Sequence, residues 1–311
     1  MEKRRLKKSF KLGLLILLLV LAFVAVFQLG KNRPTVHNEP SNNVTEVEPP
    51  KVVSGYKEYE NAIDPKKVLL MYNELQKAKQ INSDAKAIIA FNSGIIHQPV
   101  VQGETNDTYL RTNWKDMSYD SYGSIFMDSW NNLDADDKNT IIYGHYIYEY
   151  LTSDRSIMFT PLELFKHQEN YEQNKYVALV TDKEVRYYEV SKVFECPLEE
   201  INGVSYPLKD VPYNLSDYTK DEFEAYIAAI DKYQYYETGA TPITYEDHIM
   251  TLQTCLEGVE TSREVVVCRE IGRNSIVDIA KKVTSADWDL FRSGYIAVFI
   301  KLFLTVNKNG L

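Results

Sequence analysis

Cysteine is scarce in this chain: there are three in 311 residues, Cys196, Cys255 and Cys268, and no two of them form a C-x-x-C pair. An odd number at such wide spacing excludes a disulfide-built scaffold and a zinc knuckle, and it leaves at least one thiol free or paired with another chain. An H-x-x-x-H pair, an EF-hand pattern and a phosphate-cradling glycine loop are also missing, so no metal, nucleotide or other cofactor is expected. Asp134, Asp136 and Asp137 form an acidic loop that reads as solvated rather than as a calcium site. There are no internal repeats.

Charge is absent from one long stretch. Residues 12–30, LGLLILLLVLAFVAVFQLG, are nineteen uncharged positions, long enough as a helix to cross a bilayer core. They follow MEKRRLKKSFK, which carries six Lys/Arg. A cleaved signal peptide has a shorter apolar region and small residues before its cut site, whereas this run ends in VFQLG, so an uncleaved signal anchor is expected. The basic cluster keeps residues 1–11 cytoplasmic and puts everything after Gly30 outside. The expected location is therefore the cell membrane, single-pass, with the functional domain extracytoplasmic.

Residues 1–33 have eight Lys/Arg against one Glu, a net of +7, so the chain's −9 leaves −16 on the remainder. Such an acidic ectodomain is a poor partner for nucleic acid and tolerates or attracts a cationic amine; plain solubility explains the same charge. Residues 31–55, rich in Pro, Asn and Glu, read as a linker. A folded domain spans residues 56–272, and residues 273–311 form a C-terminal extension. Within that extension SADWDLFRSGYIAVFIKLFLTV, residues 285–306, reads as an apolar-faced helix packed on the core or a membrane surface.

Inside the domain, Asp64-Pro65 starts a helix running to about Gln80, with Val68, Leu69, Tyr72 and Leu75 at helical spacing. Eight short apolar or alternating runs follow as strands: AIIAF from Ala87, IIHQPVVQ from Ile95, SIFMD from Ser124, TIIYGH from Thr140, YVALVT from Tyr176, VRYYEVSKVFE from Val185, HIMTLQTC from His248 and REVVVCRE from Arg263. One strong helix, residues 219–234, interrupts them with Phe223, Tyr226, Ile227 and Ile230 on one face. The expected fold is mainly β, a closed or nearly closed β-barrel with peripheral α-helices and an N-terminal transmembrane helix.

Cys255 ends an apolar strand, which suits either a buried core thiol or a nucleophile. A nucleophilic cysteine needs an imidazole partner and a donor for the oxyanion of an acyl intermediate. His145 follows Gly144 at the end of its strand, where a barrel rim would bring it to a second strand ending at Cys255. Arg263 opens the next strand, at that same rim. In an antiparallel hairpin with Cys255 near Arg263, Cys268 falls opposite Met250, too far to bridge Cys255, so Cys255 is a free thiol. Taken singly, a His or Arg at a strand end is more often a cap or a solvated side chain.

Taken together the residues resemble the class B sortases, the membrane-anchored cysteine transpeptidases of Gram-positive cell surfaces. TLQTC, residues 251–255, fits the family's TLxTC motif, with the arginine strand REVVV after it. IYGH ending at His145 also fits, as do MFTPL from Met158, GSIFMD from Gly123, PVVQG from Pro99 and NDTYL from Asn106. The likeness runs from about Tyr56 to Gly272. Tyr146–Ser156 is longer than the corresponding family segment, and the extension past Asn274 is not a family feature.

The resemblance implies a sortase-like barrel in which Cys255 attacks the Thr carbonyl of a sorting-signal peptide to give a thioester. It implies His145 as general acid and then base, and Arg263 as holder of the oxyanion. The positions matching the substrate groove are Asn106, Leu110, Tyr143, Tyr226, Ile227, Gln253 and Thr254. Of these, Leu110, Tyr226 and Ile227 are equally readable as core, and Asn106 as a turn organiser. The implied partners are the sorting-signal peptide of secreted surface proteins, a peptidoglycan precursor or other amine nucleophile, and the membrane through the N-terminal helix. Competing readings are a hydrolysing cysteine peptidase, a pilin-polymerising sortase and a non-catalytic surface binding module.

Overall fold

The computed structural model of the chain describes residues 63–197, 215–256 and 259–283, with the side chains of residues 255–261 outside that description. Eight strands close into a barrel: β1 (Ala85–Phe91), β2 (His97–Val101), β3 (Phe126–Met127), β4 (Asn139–Tyr143), β5 (Tyr176–Val180), β6 (Glu184–Pro197), β7 (Ile249–Leu256) and β8 (Val259–Ser275). Their order around the barrel is β1-β2-β3-β4-β7-β8-β6-β5, and β1 pairs with β5 to complete it. Neighbours are antiparallel except at β2–β3 and β4–β7, which are parallel. A parallel pair requires a long crossover, and here the chain forms β5, β6 and two α-helices between β4 and β7.

All eight expected strands are present, and the packing explains their apolar character. Residues from every strand, including Ile89, Val100, Met127, Ile142, Leu179, Val190, Leu252 and Val266, fill the barrel interior. The outer faces of several strands are covered as well. Val68, Met71, Leu75 and Ala78 of α1 (Pro65–Ile81) share a cluster with Ile88 and Ala90 of β1 and Ala178 and Val180 of β5. A strand buried on both faces reads as a continuous apolar run, and β1 and β5 do so. The long β6–β8 pair changes register between Tyr187 and Tyr188 and between Val190 and Lys192, bulges that bend long strands into a barrel wall.

The helices start where their caps dictate. The Asp64 carboxylate accepts from the Lys66 amide at 2.9 Å, with Pro65 in the first turn. Met71 and Ala78 join Val68 and Leu75 in the core, while Leu69 and Tyr72 pack only at its edge. After a short α2 (Tyr171–Asn174), α3 (Lys220–Ile230) begins with a Thr219/Glu222 capping box. It ends four residues before the predicted Gln234, because Tyr235 N donates to Val193 O and Gln234 bridges to Phe194, drawing the chain onto β6.

The acidic loop is exposed at Asp134 and Asp136, as expected, and both carboxylates also have partners. Asp136 pairs with Arg273 at 2.5 Å and lies within ion-pair range of His248 and Arg186, while Asp137 accepts from Asn131 Nδ2 at 2.7 Å. At the other end of the domain, β8 continues to Ser275 and the helical residues 276–283 bury Ile276 and Ile279 in the α1 cluster, so core packing runs beyond residue 272. Among the described residues no helix is long and apolar enough to cross a membrane. The expected anchor at 12–30, the linker at 31–55 and the apolar helix at 285–306 lie outside the described residues.

Candidate active site

Three strand ends meet at one end of the barrel. β7 and β8 pair so that Cys255 stands opposite Arg263 and Met250 opposite Cys268, the hairpin register expected from the sequence. β4 lies parallel to β7 with Tyr143 beside Gln253, and Gly144 N extends that ladder by donating to Gln253 O at 3.2 Å. Adjacent strands in a sheet are about 4.8 Å apart. The backbone of Tyr143-Gly144-His145 is thus one strand away from that of Gln253-Thr254-Cys255, and Arg263 is one strand farther. On its other side Arg263 pairs with Cys196 of β6.

These ends line a cleft of about 470 Å³ formed by Asn106, Asp107, Leu110, Arg111, Phe126, Tyr143, Gly144, His145, Gln253, Thr254 and Arg263. It therefore gathers His145 and Arg263 together with five of the seven expected substrate residues. Tyr226 and Ile227 are not among them. Tyr226 is 1% exposed, stacked on Tyr218 with ring centroids 5.7 Å apart in the cluster beneath α3, and Ile227 packs against that cluster. A helical apolar stripe pointed inward to cover β6, β7 and β8 accounts for both.

His145 is held by the loop that precedes β3. Its Nε2 donates to the carbonyl oxygen of Leu110 at 2.7 Å, so Nδ1 is the unprotonated nitrogen of the neutral ring. Burial lowers its pKa below the ordinary histidine value; the Leu110 hydrogen bond works against that, and the nearby Arg111 and Arg263 charges reinforce it. Two glycines make this geometry possible. Gly123 has φ +59°, and a Cβ there would meet the Leu110 carbonyl oxygen at 2.4 Å; a Cβ on Gly144 would meet the Phe159 ring at 2.7 Å. Phe159 N in turn donates to His145 O at 3.1 Å, so the MFTPL segment braces the histidine from behind.

The floor and wall of the cleft differ in how their polar groups are satisfied. Gln253 Oε1 and Thr254 Oγ1 are buried and have no hydrogen-bond partner among the described residues, a costly state for polar atoms. On the wall, Asn106 both lines the cleft and organises a turn, since its carboxamide bonds to Asp128 and to Ser129 N. Opposite Thr254 on β8, the Glu264 carboxyl is pushed up to about 7, chiefly by burial and further by Glu195 and Glu163, against Lys166 and the Tyr235 hydroxyl. Burial likewise pushes the Cys196 thiol up to about 11, with Arg263 pulling it back.

No family model matches the chain. The crystal structure of Clostridium perfringens sortase B is 30% identical, with a TM-score of 0.53, and the match covers 63% of this chain and 99% of that one. The chain belongs to the class B sortases. Staphylococcus aureus sortase B is 27% identical over 240 residues, 71% of this chain and 91% of that protein. Listeria monocytogenes sortase B is 28% identical over 184 residues, 59% of this chain and 67% of that protein. Solved sortase B structures of the same fold, 23% identical, include a Staphylococcus aureus substrate complex and a complex with triglycine, at TM-scores of 0.54 and 0.53. As a class B sortase the protein is an enzyme of the cysteine transpeptidase kind.

Asp107, Arg111, Phe126 and Gly144 line the cleft but were not among the residues expected from the sequence. Gly144 sits inside the IYGH motif and carried a signal, since a glycine between a tyrosine and a histidine at a strand end marks close packing. Asp107 and Arg111 look like any surface charges until the loop is folded.

Proposed function

We propose that this class B sortase cleaves a C-terminal sorting signal after its threonine and transfers the protein to a cell-wall amine, working from the outer face of a membrane in which residues 12–30 anchor it. The observation that carries the reading is the convergence of the β4, β7 and β8 ends, with Cys255 in register with Arg263 and His145 on the neighbouring strand end.

In the first half-reaction the Cys255 thiol gives its proton to His145 Nδ1, and the sulfur attacks the threonine carbonyl carbon. Arg263 holds the oxyanion with its planar donor fork. The C–N bond then breaks, His145 protonates the leaving amine, and a thioester remains. In the second, an incoming amine loses a proton to His145 and attacks the thioester. The C–S bond breaks, a new amide forms and the thiol is restored. Gln253 and Thr254 line the same cleft on the strand that carries Cys255, which supports peptide binding beside the nucleophile. Asn106, Leu110 and Tyr143 form the wall of the same groove.

The test is transfer itself. Full-length protein in detergent is given sorting peptides of NPQTN-like or PxTG-like sequence with water alone, triglycine, a diamino-acid stem peptide or a pilin-type lysine peptide. Transfer to a wall-type amine, abolished by Cys255→Ala, is the expected result. Products of water alone indicate a hydrolysing peptidase, and lysine-peptide products alone indicate a pilin polymerase. Activity that survives Cys255→Ala removes the proposal.

A further inference from the structure

Asp128 follows the last residue of β3 and is only 5% exposed, yet it does not line the cleft. One of its oxygens, Oδ2, accepts from two cleft residues at once: Asn106 Nδ2 at 2.8 Å and the Tyr143 hydroxyl at 2.8 Å. The other, Oδ1, accepts from Trp130 N at 2.9 Å. Its backbone is tied equally firmly, with Asp128 N donating to Ile141 O at 2.9 Å and Gln102 Nε2 donating to Asp128 O at 2.8 Å. The Asp128 main chain is therefore fixed to β4 and to Gln102 just after β2, and its carboxylate to the Trp130 amide, independently of either cleft side chain.

The chemistry of these bonds sets how the two cleft residues face a ligand. Ser129 N donates to Asn106 Oδ1 at 2.8 Å while Asn106 Nδ2 is spent on Asp128, so the carboxamide is clamped at both ends and cannot flip. Its second Nδ2 hydrogen is the donor it can present to a peptide carbonyl. The Tyr143 hydroxyl proton is committed to Asp128, so a peptide meets that phenol through its oxygen. A buried carboxylate accepting two side-chain donors makes charge-assisted bonds, about twice as strong as neutral ones.

We infer that Asp128 is a positioning residue for substrate recognition, orienting the Asn106 carboxamide and the Tyr143 hydroxyl in the cleft wall without itself touching the peptide. This inference rests on the transpeptidase reading of the cleft. Asp128→Asn keeps the size but offers one oxygen in place of two, so its NH2 group faces either Trp130 N or the Asn106 and Tyr143 donors. This weakens the hold on both side chains while Ser129 N still anchors Asn106 Oδ1.

The experiment measures KM and kcat for peptide transfer, thermal midpoint and the rate of Cys255 alkylation in full-length wild type, Asp128→Asn, the double variant Asn106→Ala/Tyr143→Phe, and the triple variant. Asp128→Asn should raise KM by about tenfold to a hundredfold, with kcat changing far less and the alkylation rate unchanged. Added to the double variant, it should raise KM little further, because the residues it acts through are gone. An unchanged KM in Asp128→Asn, or an equal KM rise with and without Asn106 and Tyr143, overturns the inference. If Asp128→Asn does not fold, the double variant decides: its KM must rise, and an unchanged KM overturns the inference. Wild type that transfers to no amine overturns the transpeptidase reading together with this one, whereas active wild type with a failed Asp128 result overturns this one alone.

Discussion

Glu264 gives the most quantitative handle on this barrel. It faces Thr254 across the β7–β8 ladder, is essentially inaccessible, and accepts one hydrogen bond, from the Tyr235 hydroxyl at 2.9 Å, while its Oε1 has no partner among the described residues. The charged and titratable groups around it are Tyr235 and Tyr236 after α3, Glu195 on β6, and Glu163 and Lys166 in the turn before α2. Its pKa rises from an ordinary 4.5 to about 7. The folded form thus binds more protons than the unfolded one between those values. Stability from this group is fully present below pH about 4.5 and is lost as pH rises through about 7.

At 1.36 kcal/mol per pH unit of displacement the loss is about 3 kcal/mol. Glu264→Gln removes the titration, keeps an oxygen for Tyr235, and replaces an acid O–H by amide N–H, so it adds no new class of unpartnered group. The variant should match wild type near pH 5 and exceed it at pH 8, by about 6–12 °C in thermal midpoint at roughly 2–4 °C per kcal/mol. Thermal unfolding of both proteins from pH 5 to 8 measures this. Parallel pH dependence in the two proteins, or a variant less stable than wild type at pH 8, refutes the reasoning.

Three further outcomes follow from the site. Gly144→Ala places a methyl against Phe159 and should cost about 1–3 kcal/mol of stability while slowing transfer, measured by denaturant unfolding and by kcat/KM; a variant with wild-type values shows that this approach is not tight. The His145 imidazole should titrate below its ordinary 6.5 in an NMR experiment, so the unfolded chain binds the extra proton and acid below that value costs stability; a midpoint above 6.5 contradicts the role of burial and the two arginines. Tyr226→Ala should cost about 3–5 kcal/mol of stability with KM for peptide unchanged in the folded fraction; a selective rise in KM returns Tyr226 to the substrate groove.

Much of the barrel was legible because each strand's apolar run is buried on one or both faces, and the β7–β8 register follows from simple counting from Cys255 to Arg263. The misread positions depend on non-local geometry. Helical spacing marks Tyr226 as apolar-faced but says nothing of whether that face meets a groove or β6–β8. Ser124 looked like the start of a strand, yet its hydroxyl donates to Thr112 O and its amide to Tyr109 O, which leaves β3 only two residues long. Asp128 looked like an ordinary residue at a strand end, and its role depends on Asn106, 22 positions earlier, and Tyr143, 15 later. Asp136 reads as solvated and is exposed, but its ion pair with Arg273, 137 positions later, could not be seen from the sequence.

The central claim is that Cys255 becomes acylated by a peptide through a thioester. Its most direct test is intact-mass measurement of full-length protein quenched in acid during turnover of a sorting peptide without added amine. The account predicts an adduct equal to the peptide cleaved after threonine, mapped to Cys255, removed by hydroxylamine and absent from Cys255→Ala. Peptide cleavage with no adduct at any time point, or an adduct that persists in Cys255→Ala, contradicts it.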